Sequence, residues 1–168
     1  MLLRVIESLL QDDADDDDGI ERYSIKRVFT VMNDQTLQRT EDELKDMVGE
    51  LNMLNNTNIT VEEAATFDVD GSIVDLTLGN KGLKSLPESF GYFKVKRDVR
   101  LDSNQLETLP ESFSELQIGG HLLLDGNNLE SLPESFCNIN AWNKITLYDN
   151  RLTQPSLSLL QAGWAARG

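Results

Sequence analysis

The segment LPESF occurs at 86–90, 109–113 and 132–136, so the chain repeats itself every 23 residues. A fixed period of this size constrains the fold more than any other feature. Each unit is one supersecondary piece that cannot bury its apolar side alone, and stacked units can. Further columns keep the same step. Leu78, Leu101, Leu124 and Leu147 form one, and Leu83, Leu106, Leu129 and Leu152 another. Leu76, Val99, Leu122 and Ile145 form a third, and Asn104, Asn127 and Asn150 a fourth, with Lys81 in its first slot. The unit reads LxLxxNxLxxLPxxF. Its LxL part alternates as a strand does, with the leucines turned inward. The proline suits a change of direction, because its φ is fixed and it has no N–H.

This pattern resembles the leucine-rich repeat family over residues 73–160. The resemblance implies about four coils of a short solenoid with a parallel sheet on its concave side. It also implies that each Asn side chain bonds the backbone of neighbouring turns, and that Phe90, Phe113 and Phe136 fill the outer part of the core. The outermost units deviate. Pro155 stands where the fourth unit should have Leu, and PSLSL replaces LPESF. The tail 156–168 reads either as an amphipathic cover over the end of the core or as the start of further repeats in a longer chain.

Charge divides the chain. Residues 1–72 carry 18 acids and 6 bases, and residues 73–168 carry 11 acids and 9 bases, which gives −12 and −2 of the net −14. Two units are expected: an acidic helical domain over 1–70 and a repeat domain with its cap over 71–168. Such a field repels phosphate, so no nucleic-acid partner is expected. The apolar run in MLLRVIESLL is broken by Glu7 and is too short for the ~20 residues a membrane helix needs, so no membrane insertion is expected. A single cysteine, Cys137, leaves no intrachain disulfide. It fits a reducing compartment, and the expected location is intracellular, in the cytoplasm or in an organelle lumen or stroma.

Residues 41–67 carry a second resemblance. Thr40 and Glu43 form a capping-box pattern, and Leu44, Met47, Val48 and Leu51 share one helix face. With NMLNNTNITVEE following, the stretch looks like one hand of a degenerate calmodulin-type EF-hand pair. Asn52, Leu54, Asn56, Ile59 and Glu63 match loop positions 1, 3, 5, 8 and 12. Leu54 supplies no oxygen and two carboxylate positions hold Asn, so this loop should bind Ca2+ poorly or not at all. The partner hand would be residues 1–32. Asp13, Asp15 and Asp17 fall at its metal-ligand positions 1, 3 and 5, but Ser24 stands at position 12. The six Asp within 12–18 read equally as a solvated loop. No cofactor is expected, with weak Ca2+ at the acidic loop left open. FDVDGSI (67–73) reads as a linker turning at Gly71.

The expected class is therefore α+β: a leucine-rich-repeat solenoid of about four 23-residue coils, preceded by a small EF-hand-like helical domain. No catalytic constellation is legible. His121 is the only histidine, and it reads as an exposed contact residue, so no enzyme is expected. The expected working surface is the concave sheet, where outward positions form three rows. The partner-binding residues expected there are Asp98, Arg100, Asp102, His121, Leu123, Asp125, Lys144, Thr146 and Tyr148. A rigid array of this kind suits protein recognition. The function expected is a non-catalytic adaptor or scaffold for one or more proteins. The alternatives are a structural accessory subunit of a larger complex and a Ca2+-responsive regulator.

Overall fold

The computed structural model describes residues 40–141 and 144–165. Helix α1 covers residues 40–55, and its apolar face (Leu44, Met47, Val48, Leu51) is wholly buried. A one-turn helix α2, Val61–Ala64, follows. Thr60 and Glu63 cap it reciprocally: Thr60 Oγ1 accepts from the Glu63 N–H, and Glu63 Oε2 accepts from the Thr60 N–H, both at 3.3 Å. Strand β1, Ala65–Phe67, then turns back through Gly71 (φ +79°) into β2, Ile73–Thr77, and pairs antiparallel with it. The stretch read as a linker is thus the turn of a hairpin.

Three further units follow, each adding a broken strand: β3 (Lys94–Val95) and β4 (Val99–Arg100), β5 (Gln117–Ile118) and β6 (His121–Leu123), β7 (Asn140–Ala141) and β8 (Lys144–Thr146). All seven strands from β2 onward pair in parallel, in the order β7-β5-β3-β2-β4-β6-β8. The sequence period is visible in the register: Lys94 pairs Gln117, and Gln117 pairs Asn140; Val99 pairs Leu122, and Leu122 pairs Ile145. The first step differs. Leu76 pairs Val99, but Ile73 pairs Val95, so the later units hold one more residue between those points. That extra residue breaks each later strand in two, whereas β2 runs through.

Between strands the chain returns through 3-10 segments Glu88–Tyr92, Glu111–Glu115 and Glu134–Asn138. Pro87, Pro110 and Pro133 stand at their N-caps with φ of −71°, −65° and −53°. The three phenylalanines are fully buried and stack in a row: Phe90 to Phe113 at 5.9 Å and 2°, Phe113 to Phe136 at 6.2 Å and 10°. Helix α3, Gln154–Ala165, packs against the last 3-10 segment, with Ser156 and Leu160 buried.

The expected α+β class, a solenoid preceded by its own helical domain, is overturned. The described residues form an open, mostly parallel α/β-like sheet with few helices. The α1 and α2 residues do not build a separate core. Leu44, Met47, Leu51, Ile59 and Ala64 belong to the same buried cluster as Leu76, Leu101, Leu124 and Phe136. The physical reason is that the first unit has no unit before it. Its exposed apolar flank is closed by the apolar face of α1 and by β1 on the edge of β2. Hydrophobic spacing marks a buried face without saying which core buries it. The proposed partner hand, with Asp13, Asp15 and Asp17, lies outside the described residues. No described helix is long and apolar enough to cross a membrane.

Candidate functional site

The sheet face opposite the core carries the expected rows, and their side chains divide into two groups. Asp98, Asp125 and Thr146 are used internally. Asp98 Oδ1 accepts from the His121 backbone N–H at 2.8 Å and lies 3.1 Å from His121 Nδ1. The bond from the His121 backbone, chiefly, holds the Asp98 carboxyl below its usual range. Asp125 Oδ1 accepts from the Tyr148 N–H at 2.7 Å, and its other oxygen accepts from the Thr146 hydroxyl. Thr146, expected to be an exposed contact residue, is only 5% exposed. Asp75 continues the motif by accepting from the Asp98 N–H at 3.2 Å. These acids link one strand to the next.

Arg100, Asp102, Leu123, Lys144 and Tyr148 form the second group. Among the described residues no carboxylate pairs with Arg100 or Lys144, and no cation pairs with Asp102. Tyr148 is 68% exposed, and Lys144 Nζ lies 5.9 Å above its ring. Next to Asp102 the row has Gly79, whose missing side chain leaves the carboxylate room: a Cβ there would stand 3.0 Å from Asp102 Oδ1. The result is a mixed surface of one aromatic, one aliphatic and separated charges on a rigid sheet.

No catalytic constellation is assembled among the described residues. The His121 ring meets Asp98 but no hydroxyl or thiol. The Cys137 thiol donates to the Glu134 carbonyl at 3.5 Å within its own 3-10 turn. The loop compared with an ion-binding hand is also committed elsewhere. Asn52 Oδ1 accepts from the Ile59 N–H, and its Nδ2 donates to the Ile59 carbonyl, both at 2.8 Å. Glu63 caps α2 and lies 3.6 Å from Lys81 Nζ. No group of three potential metal-ligating acids, histidines or cysteines occurs among the described residues.

Two features escaped sequence reasoning. Asn55 fastens the end of α1 to the first unit: its Oδ1 accepts from the Lys84 and Ser85 N–H groups, and its Nδ2 donates to the Leu51 and Ser85 carbonyls. It lies outside the period, so no column revealed it. Asn80, Ser103, Gly126 and Asp149 also form a column, with φ of +55°, +58°, +64° and +54°. Their identities were a usable signal, because small polar residues and glycine tolerate the left-handed region.

No protein-family model and no curated protein sequence matches the chain. Its function is therefore argued from the geometry of the sheet face.

Proposed function

We propose that this chain is a non-catalytic interaction module that holds a partner protein against the outer face of its parallel sheet. The observation that carries this reading is the division of the face. Asp98, Asp125 and Thr146 serve the fold, while Arg100, Asp102, Leu123, Lys144 and Tyr148 have no described ion-pair partner and project from a fixed scaffold. Tyrosine and arginine are the residue types that concentrate binding energy at interfaces. A rigid sheet also reduces the ordering cost of association.

The test is co-purification from the native source with a double variant, Arg100→Glu with Tyr148→Ala. The partner should be lost from the variant while its unfolding midpoint stays near the parent value, because neither side chain is enclosed. Retention of every partner by the variant removes the face from consideration.

A second reading, a permanent accessory subunit of a larger assembly, draws on a separate observation. Met53 is 87% exposed, and Leu54, Val69 and Tyr92 are exposed as well, all away from the sheet face. Under that reading the isolated chain self-associates or precipitates at neutral pH, and a stable monomer counts against it.

A further inference from the structure

We draw no further inference here: the strongest candidate, the groove between helix α1 and the first 3-10 segment, where Glu43, Asp46 and Glu50 stand beside the exposed Tyr92, carries nothing because nothing in the structure shows what covers it.

Discussion

Asn127 shows how one residue type holds the repeat together. Its Nδ2 donates to the Leu101 and Leu124 carbonyls at 2.9 and 3.0 Å, and its Oδ1 accepts from Leu106 N–H. All of these bonds are buried, where unpaired backbone groups are costly. Asn127→Ala orphans the Leu106 amide, while the Leu101 and Leu124 carbonyls keep the Asn104 and Asn150 side chains as donors. The expected loss is ~1–3 kcal/mol, read from the urea midpoint at constant slope. Asn150→Ala should cost less, because its bonds to Leu147, Tyr148 and Leu129 lie nearer solvent. The Asn column was legible because it keeps the period. Asn55, which fastens α1 to the first unit, was not, since its role exists only once α1 is docked.

Among the elements, the 3-10 segments are the most tightly specified. Their prolines preset the backbone, and their phenylalanines stack at a spacing matched to the strands. Gly91 sits where adjacent segments touch: a Cβ there would stand 2.1 Å from the Ser112 carbonyl oxygen. That neighbour is backbone held in the next segment, so it cannot swing away. Gly91→Ala should cost ~1–3 kcal/mol by overpacking and lower the melting temperature, whereas Gly49→Ala, on open helix surface, should not lower it. The repeat signature made the segments and the strand positions readable. The division of strands at Gly119–Gly120 was not readable, because it depends on the preceding unit's backbone: a Cβ on Gly119 would lie 2.2 Å from the Lys96 carbonyl oxygen. The α1 face was readable as helix spacing, but the EF-hand reading of its C-terminal loop remains a resemblance. Asn52 and Glu63 serve a turn and a cap in the fold.

For the whole molecule, an important join is between the front hairpin and the second unit. Lys96 Nζ donates to Asp68 Oδ2 at 2.9 Å and to Asp70 Oδ2 at 2.8 Å. The Lys96 bond lowers the Asp70 carboxyl to about 2, from an ordinary 3.8, and lowers Asp68 in the same direction. Carboxyls depressed by folding contribute stability above their unfolded value and lose it as pH falls toward the folded one. The difference in urea midpoint between the parent and Lys96→Ala should therefore be constant from neutral pH to about 4 and shrink between about 4 and 2. A gap that persists at pH 2 would show that the lysine acts through packing alone. The groups are exposed, so added salt should also narrow the gap. The chain's own pattern determined the 23-residue unit, the inward leucines, the prolines and the asparagine column, because each follows from contacts repeated at one sequence separation. Only the tertiary structure decided that α1 and β1 close the first unit within a shared core, and that Thr146 turns under Asp125. Those outcomes depend on what lies beside the ends of the stack, where the period stops and no neighbouring unit carries the information.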